Sequence, residues 1–261
     1  MSQIIERTVK TDLSGPFSHG AGRPKGFFLR LYQSFLSPHE AFSGGFGAWQ
    51  WVIALLITGM LGIAIQSLQG PYLAPDIKRA ALSQLERVRD QLSTQQYEDI
   101  RQQIEEGVDQ EFKITPLNTL TELAFAGLFA VCIALFAWFG GNFLLGGQAL
   151  FWQVLTVVAF AGFIGLAGDI ARTALMAAKG SSYVQIGLGS VWTTPDNSFN
   201  YYLLRQMEFF SMWRIAVTCS GLGAIYSKPA LSFAFILTPA WLAFIALVAL
   251  ANGLMGGALV Y

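Results

Sequence analysis

Charged and amide side chains set within long apolar runs are the residues of this chain that could do chemistry. They comprise two acids, two arginines and one asparagine: Asp169, Arg172, Glu208, Arg214 and Asn252. Asp169 and Arg172 are three residues apart, so on a helix they share a face and can pair. The expected partner of Arg214 is Glu208 or Asp169, and Asn252 can form an interhelical hydrogen bond. Such groups either clamp helices together or mark a path for an ion or substrate.

Motifs for catalysis do not occur in the sequence. It contains no GxxxxGK, HExxH, CxxC or GxSxG phrase, and both histidines precede the first long apolar run. His39 lies in Ser37-Pro38-His39-Glu40, a pattern typical of a helix start with proline in the first turn. We therefore expect a protein that is not an enzyme and that holds no cofactor and no metal.

The composition indicates lipid as the main solvent. Of the 261 residues 54% are hydrophobic and 12% are charged, whereas soluble domains carry about 25% charged residues. The formal net charge is zero, which gives no support for binding nucleic acid.

Five apolar runs are long enough to cross a bilayer, which takes roughly 20 residues. Their approximate bounds are 48–68, 117–141, 151–178, 208–227 and 231–259. The sequence thus predicts an all-α, polytopic membrane protein with a five-helix transmembrane bundle, over residues 48–261.

The segments before the first run differ from each other. Residues 1–26 are polar and are predicted to be a disordered tail. Residues 27–47 are predicted to be an amphipathic helix lying in the headgroup region. The apolar face proposed for this interfacial helix comprises Phe28, Leu31, Tyr32, Phe35 and Leu36.

Residues 74–115 predict a helical hairpin outside the bilayer, on the extracytoplasmic side. Apolar residues recur there at helical spacing in two stretches, and Ser93 with Gln96 forms a capping-box pattern where the spacing restarts. Either the two stripes pack on each other and on the membrane domain, or they form a docking surface for a partner.

The distribution of basic residues favours a cytoplasmic N-terminus. Arg7, Lys10, Arg23, Lys25 and Arg30 all precede the first run, and basic residues flanking spans are enriched on the cytoplasmic side. With five spans, the C-terminus is then extracytoplasmic.

Several landmarks of the chain occur together in a known family. They are FLSPHEAF before the first run, the glycine pairs Gly140-Gly141 and Gly146-Gly147, and LLRQMEFFSMWRIAVTCSGLGAIYSK around Arg214. Over about residues 27–260, apart from the hairpin, the chain resembles the Yip family (Ypt-interacting proteins), in its bacterial branch. The resemblance implies a non-enzymatic protein of five spans in a bacterial inner membrane. Eukaryotic members bind prenylated small GTPases, and some bacterial members are linked to ABC-type exporters.

Two functions fit these observations. The first is a membrane scaffold or adaptor that organises partner proteins in the bilayer, such as exporter subunits or further copies of itself, in membrane trafficking or as an accessory of an export system. The second is a small transporter or permease subunit that uses Asp169 and Arg214.

Overall fold

The structure, a computed structural model, describes residues 25–47, 49–182, 184, 186–192 and 198–254. Most of the predicted tail, 1–26, lies outside these ranges, as does the end of the last predicted run. The helices of the described residues are α1 Phe27–Leu36, α2 Pro38–Phe42, α3 Gln50–Arg87, α4 Thr94–Glu111, α5 Pro116–Phe139, α6 Phe151–Lys179, α7 Phe199–Gln206, α8 Phe209–Tyr226 and α9 Ala230–Leu254.

Four helices of the described residues are long and apolar enough to cross a membrane. They are α3, α5 together with the π-helical turn Gly140–Leu144, α6 and α9. By length and composition, the chain is a multi-pass integral membrane protein.

The fourth predicted run corresponds to α8, which is not among these four helices. At 18 residues, α8 is roughly 27 Å long, slightly short of the hydrocarbon thickness of about 30 Å. Arg214, Thr218 and several small residues also lower its mean hydropathy. The count of five spans therefore exceeds the four that length and composition support.

The helix α6 forms the centre of the bundle. Of its apolar window 67% is buried inside the protein, against 6% for α3, 22% for α5 and 17% for α9. It packs against α3, α5 and α8, and α9 packs on the far side of α8. The other spans therefore leave most of their surface for lipid, whereas α6 faces protein.

Contacts along α6 fix the directions of its neighbours. Thr58 of α3 packs on Gly162 of α6, and the Gln69 side chain donates to Thr173 Oγ1 at 2.8 Å, so α3 and α6 run parallel. The helix α8 runs the other way, because Gly168 meets Phe210 whereas Val157 meets Gly221. We call the end of the bundle where α3 and α6 begin and α8 ends the base.

At the base, two glycines enclose one tyrosine ring. A Cβ on Gly141 would lie 2.3 Å from Tyr226 Cζ, and one on Gly147 would lie 2.2 Å from Tyr226 Cδ1. Any side chain at either position would overlap the Tyr226 ring. The two glycines therefore allow the turn after α5 to pack on the end of α8.

The helix α1 divides its apolar residues between two sides. Leu31 and Phe35 pack with Phe27 on the protein core, whereas Phe28, Tyr32 and Leu36 are exposed by 82%, 64% and 65%. The apolar face predicted from the sequence is thus divided between the protein core and the outer surface. As predicted, Pro38 begins a new helix, α2, directly after Ser37.

The helix α3 continues far beyond one bilayer thickness. Its 38 residues span roughly 57 Å, so about 27 Å must extend outside a hydrocarbon layer of about 30 Å. The helix includes both Pro71 and Pro75, although each proline removes one backbone hydrogen bond. The first predicted run and the first half of the predicted hairpin thus form one continuous helix.

The helix α4 returns along this extension. Phe112 packs on Gly70, and the Tyr97 hydroxyl donates to Glu86 Oε2 at 2.8 Å, a hydrogen bond that raises the pKa of Tyr97. Ser93 and Gln96 form the predicted capping box at the start of α4. We call residues 74–115 the arm.

The two apolar stripes of the arm face each other. Leu85 of α3 and Val108 of α4 are buried, and Ile77, Ile100 and Ile104 are partly buried. Ile77 and Phe112 also pack on Leu73, Met176 and Val184. The stripes are therefore buried within the arm and against the bundle, which leaves the outer, polar side of α4 exposed.

The contact at the base yields a prediction. Gly141→Ala should lower the free energy of unfolding by about 1–3 kcal/mol, the typical cost of overpacking, because the new methyl group overlaps the Tyr226 ring. The measurement is thermal unfolding in detergent micelles. Gly127→Ala is the matched control: its Cβ meets open space, and helix propensity favours alanine by about 1 kcal/mol. Equal stability of the two variants would contradict the enclosure of Tyr226.

Candidate functional site

The start of α8 is held by a short extended pairing. The Leu188 N–H donates to Met207 O at 3.2 Å, and the Phe209 N–H donates to Ile186 O at 3.2 Å. These bonds place Gly187 opposite Glu208 as an isolated antiparallel bridge. Glu208, the residue just before α8, is thereby fixed beside the end of α6.

Arg172 and Glu208 form the closest ion pair at this place. Arg172 Nη2 donates to Glu208 Oε1, and the two side chains are 30% and 21% exposed. Asp169 lies farther from the same guanidinium, with 4.0 Å between Asp169 Oδ1 and Arg172 Nη1, and is 46% exposed. The local pair predicted within α6 is therefore the weaker contact of Arg172.

Arg214 occupies a different side of α8. It lies against Gly165, where a Cβ would be 3.4 Å from Arg214 Nη1. Among the described residues, no ion pair within 4 Å joins Arg214 to either acid, so the expected direct pairing is not formed. Glu208 and Arg214 are six residues apart, which places them about 120° apart around a helix. Arg172 reaches Glu208 from the neighbouring helix instead.

Gly165 and Gly168 of α6 allow α8 to approach closely, which brings these charged residues near each other. A Cβ on Gly168 would lie 2.8 Å from Phe210 Cβ, so α8 approaches α6 closely, one turn from Arg214. We call Asp169, Arg172, Glu208 and Arg214 the charged cluster. It contains two positive and two negative side chains, and its charge is balanced.

A polar seam between α3 and α6 continues from the cluster toward the arm. Gln69 donates to Thr173 Oγ1 at 2.8 Å and to the Asp169 carbonyl at 3.4 Å. Farther along, the Ser182 hydroxyl donates to Asp76 Oδ2, and both residues are buried. Sequence reasoning missed this seam, although Gln69 stands out as an amide directly after the first apolar run.

Asn252 lies apart from the charged cluster, near the end of α9. Its side chain is fully buried and its Nδ2 donates to the Val248 carbonyl of the same helix at 3.0 Å. Asn252 thus contributes to the packing of α9.

A cleft between α3 and the residues that follow α4 lies away from the charged cluster. An open cleft of about 260 Å³ lies at the root of the arm, beside Gly70, Pro71 and Phe112, and none of the four charged residues lines it. Among the described residues, no group of three or more histidines, cysteines or acids could hold a metal ion.

Comparisons with known proteins give no relative. No protein-family model, no curated protein and no solved structure matches the chain. The geometry of the chain itself therefore carries the argument about function.

The cluster yields a prediction about coupling. In a double-mutant cycle of Arg172→Ala and Glu208→Gln, the coupling energy should be about 1–3 kcal/mol, since the pair is mostly shielded from water. The matched cycle of Arg172→Ala with Asp169→Asn should give about 0.5 kcal/mol or less, as for an exposed helix pair. Thermal unfolding in micelles measures both cycles. A larger coupling for Asp169 would contradict the assigned partners.

Proposed function

We propose that the chain is a non-enzymatic scaffold or adaptor in a bacterial inner membrane, where it binds other membrane proteins. In this proposal the N-terminus is cytoplasmic, the arm is extracytoplasmic, and α8 is the fourth of five spans. The observation that carries the proposal is the arm, in which α3 continues about 27 Å beyond one hydrocarbon thickness.

The position of α8 supports its role as a span. It packs between α6 and α9 and also against α2, and Val217, Thr218, Gly221 and Leu222 are buried. A helix shielded by neighbours can carry more polar and small residues than one that faces lipid. Its length and hydropathy are therefore compatible with crossing inside the bundle.

The outer face of α4 is strongly acidic. Between Thr94 and Glu111 the sequence has six acidic residues and one basic residue, Arg101. Glu98, Asp99, Glu105 and Glu106 are all exposed. Because the apolar stripe of α4 is used against α3, a partner would meet this acidic face. We infer a partner with a basic extramembrane surface, since complementary charge favours encounter and register.

The join between arm and bundle suits an adaptor. The arm is continuous with a span, its root is pinned by the bond between Asp76 and Ser182, and Gln69 ties α3 to the charged cluster. A partner held by α4 would thus be kept at a fixed distance from the membrane. The resemblance to bacterial Yip proteins directs the choice of partner toward subunits of ABC-type exporters.

Neutralising the acidic face tests the adaptor. A variant with Glu98→Gln, Asp99→Asn, Glu105→Gln and Glu106→Gln should bind its partner about tenfold more weakly or worse, because it loses the complementary charges. The tagged protein is purified gently from its host, co-purifying membrane proteins are quantified, and the affinity of the recovered partner is then measured at low and high salt. The control Gln102→Ala/Gln103→Ala changes the same face without changing charge. Binding unaffected by neutralisation and by salt would contradict the acidic docking face.

A shortened arm separates docking from folding. Removing 78–84 from α3 and 99–105 from α4 takes about two turns from each helix. It keeps the turn and the contact between Glu86 and Tyr97. The five-helix bundle should remain folded while the partner is lost. If only copies of the same chain are recovered from the wild type, the adaptor proposal gives way to self-association.

A permease is the second candidate, because Arg214 is partly buried against Gly165 of α6 and, among the described residues, forms no ion pair with either acid. Arg214→Gln and Arg214→Lys discriminate between the two functions. If Arg214 only stabilises the contact of α6 with α8, Arg214→Gln should lower the unfolding temperature and Arg214→Lys should restore much of it. Full stability of both variants, together with failure to complement a deletion strain, would support a transport path. Thermal unfolding and complementation provide the two readouts.

A further inference from the structure

The arrangement of side chains on α1 is inverted relative to a helix on a water-exposed surface. Arg30 and Ser34 have no exposed surface, whereas Phe28, Tyr32 and Leu36 are exposed by 82%, 64% and 65%. In water the most polar side chains of a helix normally point outward. The inverted arrangement is the one that hydrocarbon favours.

The polar atoms of this inner face are enclosed by the segment itself. Arg30 Nη2 donates to the Gly45 carbonyl at 2.7 Å, and the guanidinium carbon lies 4.4 Å from the centroid of the Phe46 ring. The Ser34 hydroxyl donates to the Arg30 carbonyl at 2.7 Å. A cation over an aromatic face is stabilised most where water is excluded. Phe46 therefore stabilises the buried guanidinium, whose Nε and Nη1 have no hydrogen-bond partner among the described residues.

Contacts of α1 with α6 and α8 show how far α1 lies from the base. The Phe27 ring lies 5.1 Å from Phe160 and 6.2 Å from Phe163 of α6. These positions are about 14 and 18 Å from the first residue of α6. The Phe35 ring lies 5.8 Å from Trp213 of α8, which is about 20 Å from Tyr226 at the other end of that helix.

Both ends of the segment lie near the base. The side chain of Gln50, the first residue of α3, donates to the Lys25 carbonyl at 2.7 Å, and Lys25 Nζ donates to the Glu40 carbonyl. On the returning side, the Phe46 ring lies 5.8 Å from Trp152. The chain thus leaves the base near Lys25, runs through α1 at a nearly constant distance from the base, and returns through α2 to Phe46.

The lipid-facing surface of the bundle continues down to the base. Ile53 of α3 is 44% exposed, Phe139 of α5 is 51% exposed, and Leu231 and Phe235 of α9 are 64% and 72% exposed. If α1 lay at headgroup depth, these apolar side chains would all stand in water. The hydrocarbon layer therefore begins near the base, and α1 lies well inside it.

We propose that α1 is the deepest part of a re-entrant segment, which enters the hydrocarbon from the base, reaches about its midplane and leaves on the same side. The acyl chains of the bilayer cover Phe28, Tyr32 and Leu36, while Arg30 and Ser34 face the bundle. This inference needs only the multi-pass character of the chain and holds for either orientation in the membrane.

Depth measurements with nitroxide labels test the proposal. Single cysteines are introduced at Phe28, Tyr32 and Leu36 in a Cys132→Ser background, because Cys132 is exposed and Cys219 is buried. The full-length protein is reconstituted into phosphatidylcholine and phosphatidylglycerol bilayers. Collision rates with oxygen, which concentrates in hydrocarbon, and with a water-soluble nickel chelate then give the depth of each label.

Three exposed reference positions calibrate the scale. Leu61→Cys on α3 marks the interior, Trp49→Cys marks the base, and Ser93→Cys marks water beyond the bilayer. We expect the labels at Tyr32 and Leu36 to match Leu61, with a high ratio of oxygen to nickel collisions. Labels that match Trp49 would place α1 in the headgroup region, and labels that match Ser93 would place it in water. Either of these two results overturns the proposal.

Discussion

The helix α6 is enclosed by protein and carries glycine where neighbouring helices approach it most closely. These close helix contacts set the geometry of the whole bundle. Three glycines, at 162, 165 and 168, face Thr58 of α3 and Arg214 and Phe210 of α8. Without side chains at these positions, neighbouring helices come close enough for dispersion contacts, which drive helix association where lipid removes the hydrophobic driving force. Small residues of α6 thus set the approach of α3 and α8, while large side chains such as Phe160 and Ile164 fill the rest of the core.

The close approach of α8 to α6 also determines where the charges meet. Arg172 reaches Glu208 only because the extended pairing at Gly187 holds the start of α8 beside the end of α6. Charges at such a position are costly unless they are paired. The balanced cluster therefore stabilises one arrangement of the two helices, and the bond from Gln69 to Thr173 adds α3, and with it the arm, to the same arrangement.

The sequence was sufficient to locate the apolar helices, because their signal is local. Four of the five predicted runs coincide with helices able to cross a membrane, and the spacing of Ser93 and Gln96 foretold a capping box that forms. The continuity of α3 through Pro71 and Pro75 could not be read locally, since prolines ordinarily indicate a break. The partner of Arg172 could not be predicted either, because it depends on which helices are neighbours. A single contact between residues distant in the chain produces no periodic pattern in the sequence.

The low hydropathy of α8 and the position of α2 have a common physical explanation. Phe42 of α2 packs on Gly221, where a Cβ would lie 2.6 Å from the Phe42 ring, and Thr218 of α8 is buried with its hydroxyl donated to the Arg214 carbonyl at 2.8 Å. If α2 lay outside the hydrocarbon, this side of α8, with its glycines and hydroxyls, would face acyl chains that offer it neither packing nor hydrogen bonds. With α2 in place, α8 is surrounded by protein and needs less apolar surface than a helix in lipid. In the proposed five-span topology, hydropathy alone underrates α8, because it treats the surroundings of a helix as lipid and α8 is surrounded by protein.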